Sequence, residues 1–280
     1  MTVPNKDAHH SRQARNVGIS TLYKFRPYST AEDRERVRQI IEEHKVFFAR
    51  PKDLNDRLDL KPLLRITRGA NEAETRQFLL DDAEQTWERN QTPEAERARN
   101  RRRLKTMPLS VFEQEAMQRT HERLENYWIF SLAATRECVK MWSRYADHRR
   151  GLCLHFSSEW PSPFATAQRV DYQERRPVLP VPFGKLTSQD IAAIATLTKT
   201  FKWKHEQEYR VVRYPMPFRG INKLHFDGQY AHFPAESLTG ITVGLRMRET
   251  AIREILEMAT RHVPPLDVGR PGRSADPHKI

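Results

Sequence analysis

At 280 residues the chain is long enough for one large domain or two modest ones, so a buried core is within reach without disulfide or metal staples. A hydrophobic fraction of 38% beside a charged fraction of 30% fits a globular protein with solvated helix faces and excludes a wholly disordered chain. Lysine and arginine number 48 against 36 acids, leaving +12, a field that favours polyanions such as nucleic acid, nucleotides or acidic proteins.

No apolar run approaches a membrane span, and MTVPNKDAHHSRQAR lacks the apolar middle of a signal peptide, so the expected location is cytoplasmic. Cys138 and Cys153 sit beside apolar residues, and in a reducing compartment both are expected as buried free thiols.

Residues 1 to 20 are polar and aperiodic, and 264 to 280 are rich in proline, glycine and charge, so both ends are expected to be flexible tails around a single domain at 21 to 263. LYKFR (22 to 26) alternates, with Tyr23 and Phe25 on one face and Leu22, Lys24 and Arg26 on the other, which predicts a half-buried strand. AEDRERVRQIIEEH follows with Val37, Ile40 and Ile41 at helical spacing, and KVFFA predicts a short strand closed by Pro51.

From about 70 to 125 strand formers nearly vanish and Phe78, Leu79, Trp87, Leu104, Phe112 and Leu124 recur at helical intervals, which predicts a helical insertion. Its basic run RARNRRRLK (97 to 105) fits either a phosphate grip or a solvated helix face. Strands are expected at 126 to 134, 151 to 156, 167 to 172, 206 to 214 and 240 to 245, and helices at 139 to 147, 188 to 200 and 247 to 261. Strands mixed with helices in no regular alternation predict an α+β fold, a mixed and largely antiparallel central sheet with flanking helices.

There is no GxxxxGK[ST] loop, no GxGxxG after a strand, no HExxH and no histidine or cysteine at zinc spacing, so no metal is expected. Two stretches carry the remaining chemistry. In MWSRYADHRRGLCLHF (141 to 156), Met141, Trp142 and Tyr145 share a helix face, either as core or as the wall of a site. In KWKHEQEYRVV (202 to 212), Glu206, Glu208 and Arg210 share a strand face, either as an ion-pair ladder or as a catalytic pair, with Lys24 and Arg26 as further candidate counter-charges.

LYKFR, PKDLND, IFSLA, MWSRYADHRRGLCLHF, VDYQ, KWKHEQEYRVV and FPAESLTGITVG, in that order, resemble the DUF2971 family of uncharacterised bacterial domains. Family members usually carry NDPFE where this chain has Asn55, Asp56, Arg57, Leu58 and Asp59. The layout is also similar to the ADP-ribosyltransferase superfamily: a basic first-strand residue (Lys24 or Arg26), a hydroxyl on a middle strand (Ser131) and a late E-x-E (Glu206, Glu208).

That resemblance implies an NAD-dependent transferase or glycohydrolase, in the setting of a bacterial toxin or anti-phage effector. Glu208 would stabilise the cationic ribose and Glu206 would orient the acceptor. Lys24, Arg26 or Arg210 would hold NAD phosphates, Ser131 would brace the glutamate, and Trp142 or Tyr145 would stack on a ring. The alternative is a non-catalytic basic module that binds nucleic acid or a partner protein through its net charge.

Overall fold

The computed structural model describes residues 12–66, 71–181, 186–213 and 224–270. It divides into two compact units: Pro51–Tyr127 with Gln173–Thr200, and the described residues of Pro4–Arg50, Trp128–Tyr172 and Phe201–Ile280. The elements run β1 (Thr21–Arg26), α1 (Ala31–Ile41), β2 (Lys45–Phe47), β3 (Leu63–Ile66), α2 (Glu72–Arg89), α3 (Glu94–Thr106) and α4 (Leu109–Leu124). They continue with β4 (Trp128–Ala133), α5 (Val139–Tyr145), β5 (Leu152–Ser157), β6 (Gln168–Arg169), β7 (Asp171–Gln173), β8 (Val178–Val181), α6 (Ser188–Thr196) and β9 (Thr198–Thr200). The last are β10 (Glu208–Arg213), β11 (His225–Asp227), β12 (Tyr230–His232), β13 (Leu238–Val243), α7 (Glu249–Arg261) and β14 (Asp267–Gly269).

The second unit is built on a seven-stranded sheet of order β14-β13-β5-β1-β4-β10-β6, antiparallel throughout except for the β13/β14 pair. This is the α+β architecture expected. Strand alternation gives the sheet two different faces. Leu22, Phe130, Leu132, Leu152, Leu154, Phe156, Tyr209, Val211 and Ile241 project into the main core, where Val37, Ile40 and Ile41 of α1 and Ile252, Ile255 and Met258 of α7 cover them. Phe25, Ala133 and Cys153 project the other way, beneath Met141 and Trp142 of α5 and Ala146 just after it. The main core is aromatic at its centre: Phe130, Phe156, Phe164 and Phe233 form a chain of ring contacts with centroids 4.6–5.7 Å apart.

Local chemistry explains the helix starts. Thr30 Oγ1 accepts from the Asp33 N–H while Asp33 Oδ2 accepts from the Thr30 N–H, a reciprocal cap that begins α1. A small antiparallel sheet, β11-β12-β2, sits in the same unit. In the other unit β3 and β8 pair in parallel, and Leu64, Leu179 and Val181 pack with Leu79, Leu80, Leu104 and Phe112 of α2, α3 and α4. Helices therefore occupy 72 to 124 as the spacing predicts, although Gly69 lies outside the described residues.

Three expectations need correction. The segments 1 to 20 and 264 to 280, expected as flexible tails, include ordered residues. Ala14–Val17 forms a 3-10 turn with Ala14 buried in the main core, and Arg12 pairs with Asp171 at 2.8 Å. At the other end Leu266 is buried and Asp267–Gly269 adds a parallel strand to β13; residues 1–11 and 271–280 lie outside the described residues. Both segments are ordered by partners distant in sequence, which local composition does not register. The expected helix 188 to 200 stops at Thr196, where β-branched Thr198 and Thr200 take up a strand instead. The expected helix 139 to 147 stops at Tyr145, because Asp147, His148 and Arg149 adopt three successive left-handed conformations with φ of 45°, 52° and 70°.

That left-handed turn is held from all sides. Asp147 accepts from Ser29 Oγ and takes a two-pronged bond from Arg150, which together hold its carboxyl down at about pKa 2. Gly151 donates to the Ala146 carbonyl, and Arg246 donates to the Arg149 carbonyl. A Cβ on Gly151 would lie 2.1 Å from the Arg26 carbonyl oxygen, and one on Gly244 would lie 2.2 Å from that of Arg149, so both positions admit only glycine.

Candidate functional site

The chemistry-bearing residues gather on the α5 face of the sheet. The chain enters it through a 3-10 helix, Phe201–Glu206, and then through Gln207, whose φ of 42° is left-handed. A non-glycine residue held there costs of order 1–3 kcal/mol, and this one stands between two buried carboxylates. Glu206 and Glu208 are each 4% exposed. Tyr145 Oη donates to Glu206 Oε1 at 2.5 Å. Arg210, fully buried, forks onto Glu208, Nε to Oε1 at 2.7 Å and Nη2 to Oε2 at 3.0 Å. The Glu208 N–H donates to Tyr172 Oη at 2.9 Å. Desolvating two charges is expensive, and a two-pronged geometry is the arrangement that best offsets it.

Register places more around them. Glu208 stands opposite Ala133, Ala133 opposite Tyr23, Tyr23 opposite His155, and His155 opposite Gly240. One cross-strand row therefore carries a carboxylate, a phenol and an imidazole, with small residues between and beside them. Ser131 lies one pleat away, opposite Arg210. Burial and the neighbouring Arg136 guanidinium pull the His155 pKa down to about 4, so the ring is neutral at pH 7. Arg136 Nη1 donates to Thr242 Oγ1 at 3.3 Å, and the same hydroxyl lies 2.8 Å from His155 Nε2. The consistent assignment has Thr242 donating to an unprotonated Nε2, with the ring proton on Nδ1. Tyr23 meets His155 edge-on at 5.1 Å, and burial raises its phenol pKa.

The structure thus brings together Ser131, Trp142, Tyr145, Glu206, Glu208 and Arg210. It does not bring Lys24 and Arg26 to them. These pair with Leu154 and Leu152 on the opposite face, so the expected triad of first-strand cation, serine and glutamate does not converge. The reason is the two-residue period of β1: the residue sharing the glutamate's face is Tyr23. Lys24 meets the Ser131 backbone, donating from Nζ to its carbonyl at 2.6 Å while lying 4.9 Å over the Phe130 ring. Trp142 is 3% exposed, donates from Nε1 to the Arg136 carbonyl at 2.7 Å and meets Phe25 edge-on, which makes it core. Tyr23, Arg136, His155 and Thr242 join this face without belonging to any expected site. The alternation of LYKFR was the signal for Tyr23, whereas a histidine inside GLCLHF carried none.

Beside this face lies a second feature, the turn FKWKH. Phe201 is 45% exposed, and Lys202 and Lys204 are exposed on either side of the buried Trp203. Arg144 lies 4.4 Å over the Trp203 ring, Lys202 lies 5.3 Å from it, and Lys204 lies 5.4 Å over Phe201. Lys140, one helical turn before Arg144, is also exposed. The basic run on α3 differs: Arg101 pairs with Glu84 at 2.5 Å, Arg103 with Glu115 at 2.6 Å, and Arg97 with Glu88 at 3.8 Å. Three of its cations are therefore tied to acids of its own unit.

Among the described residues no three His, Cys, Asp or Glu side chains converge as metal ligands, and no helix is long and apolar enough to cross a membrane. Cys138 and Cys153 are both free; Cys153 is buried and Cys138 only partly so. In the loop at 55 to 59, Asp56 and Asp59 are buried, and Asp59 lies 3.6 Å from the Lys199 ammonium. No family model, no curated protein and no solved structure matches the chain.

Proposed function

We propose that this protein is a basic, non-catalytic module that binds nucleic acid in the cytoplasm and prefers single strands. The supporting observation is the FKWKH turn with Arg144, where exposed cations alternate with ring faces. Cations along such a surface meet phosphates, and an exposed ring such as Phe201 offers a base something to stack on. The fork of Arg210 on Glu208 supports the same choice, because a neutralised, buried carboxylate has little to offer a developing ribose cation.

Fluorescence anisotropy of a labelled single-stranded oligonucleotide, repeated across a salt series, tests this. The combined change Arg144→Glu, Lys202→Glu and Lys204→Glu should weaken binding at least about tenfold and reduce the salt slope by about 2. Arg99→Glu with Arg102→Glu, on α3, should stay within about twofold of wild type. Absence of binding by the wild type rejects the proposal.

A second reading, NAD cleavage by an ADP-ribosyltransferase-like mechanism, draws on the row of Glu208, Tyr23 and His155. Its test is nicotinamide release from NAD, present in the wild type and abolished in Glu208→Gln. No release by the wild type dismisses it.

A further inference from the structure

On the opposite face of the sheet, Arg26, Arg36, Gln39, Ile40, Lys45, Phe47 and Tyr230 line a cleft of about 110 Å³, room for several waters or one tetrahedral oxyanion. We infer that this cleft is a separate site for the phosphate of a phosphomonoester, held by Arg26, Arg36 and Lys45 with the ester group against Tyr230 and Phe47. The inference is independent of the nucleic-acid surface, since none of its residues belongs to that turn.

Arg26 carries the argument. Its Nε is sealed from solvent and has no hydrogen-bond partner among the described residues, and a buried donor left in that state normally answers to something that binds. Two further cations border it, each with one acid on its outer side: Arg36 bonds Glu32 at 2.6 Å, and Lys45 lies 3.1 Å from Glu43. Neither is exhausted, because a guanidinium has five N–H donors and an ammonium three. Burial and the like charge of Arg36 draw the Arg26 pKa down to about 10, with Asp33 and Tyr230 opposing. An arriving dianion would cancel the repulsion between the two guanidiniums and offset the cost of burial. It would also meet a planar fork suited to phosphate.

The aromatic wall selects the rest of the ligand. Lys45 lies 4.9 Å over the Tyr230 ring, and Phe47, 38% exposed, meets Tyr230 edge-on at 5.4 Å. An exposed phenylalanine beside a cationic pocket favours a ring-bearing ester over bare phosphate.

Titration calorimetry of the full chain with inorganic phosphate and with phenyl phosphate decides the matter. Both should bind saturably, phenyl phosphate more tightly. Arg26→Gln should weaken phenyl phosphate at least about tenfold. Arg36→Gln, at an exposed position on α1 that folding does not depend on, should weaken it several-fold and serves if Arg26→Gln does not fold. Wild-type titrations without saturation at millimolar ligand, or affinities unchanged in Arg36→Gln, overturn the inference. So does loss of phosphate binding in Arg144→Glu, which would move the anion to the FKWKH turn; unchanged binding there supports the cleft.

Discussion

The two faces of the seven-stranded sheet are made by the same strands and are chemically opposite. The face under α1 and α7 is largely a layer of Leu, Ile, Val and aromatic side chains, to which β1 adds Lys24, over the Phe130 ring, and Arg26 at the strand's end. The face under α5 holds Glu208, Arg210, Tyr23, His155 and Thr242, tied by a guanidinium fork and a shared hydroxyl. Apolar packing tolerates substitutions of similar volume, whereas a buried polar network fails when one member is removed. The difference teaches where to look for function: the second face carries a connected polar network that packing alone does not require, whereas the first departs from packing at the cleft, where Arg26 Nε is buried without a partner among the described residues.

The largest expected effect tests whether the fork is structural. Arg210→Ala should destabilise the protein by about 3–5 kcal/mol in chemical denaturation, because it strands a buried carboxylate. Arg210→Met combined with Glu208→Gln should recover most of that loss; if it does not, the fork does more than balance charge. Trp142→Ala should cost about 3–5 kcal/mol as a core truncation, and a near-native midpoint would return Trp142 to the wall of a site.

Acid should distinguish the faces next. The unfolded His155 imidazole takes its proton near pH 6.5 and the folded one near 4, so unfolding consumes a proton in that interval. Stability should be complete above pH 6.5 and fall by up to about 3 kcal/mol as pH drops to 4. His155→Gln should flatten that part of the stability profile relative to wild type. Smallest is Gln207→Gly, which relieves a left-handed conformation at some entropic cost and should stabilise by about 0.5–1 kcal/mol. A loss there would mean that the Gln207 side chain holds the turn.

Much of this was legible in residue order. The two-residue period of LYKFR separates Tyr23 and Phe25 from Lys24 and Arg26, and the helical spacing of Val37, Ile40 and Ile41 marks the face that α1 buries. The same period places Lys24 on the face opposite Ser131 and Glu208, so the order of these residues along the chain does not make them one site. Other features depend on partners far away in sequence. The parallel pairing of Leu63 with Val178, the strand at Asp267–Gly269 and the burial of Ala14 are set by tertiary packing. Nor does any local signal place Gln207 or Arg149 in left-handed conformations, since glutamine and arginine have no preference for them, whereas Asp147 and His148 are residue types that enter that region more readily.

Gly151 has a reach beyond its own turn. Because only a residue without a Cβ leaves room for the Arg26 carbonyl there, the end of β1 is fitted against a segment that shares no side chain with the cleft. The guanidinium that the cleft depends on thus inherits its aim from the turn leading into the neighbouring strand, and a side chain added at Gly151 would disturb that pocket without touching its ligand.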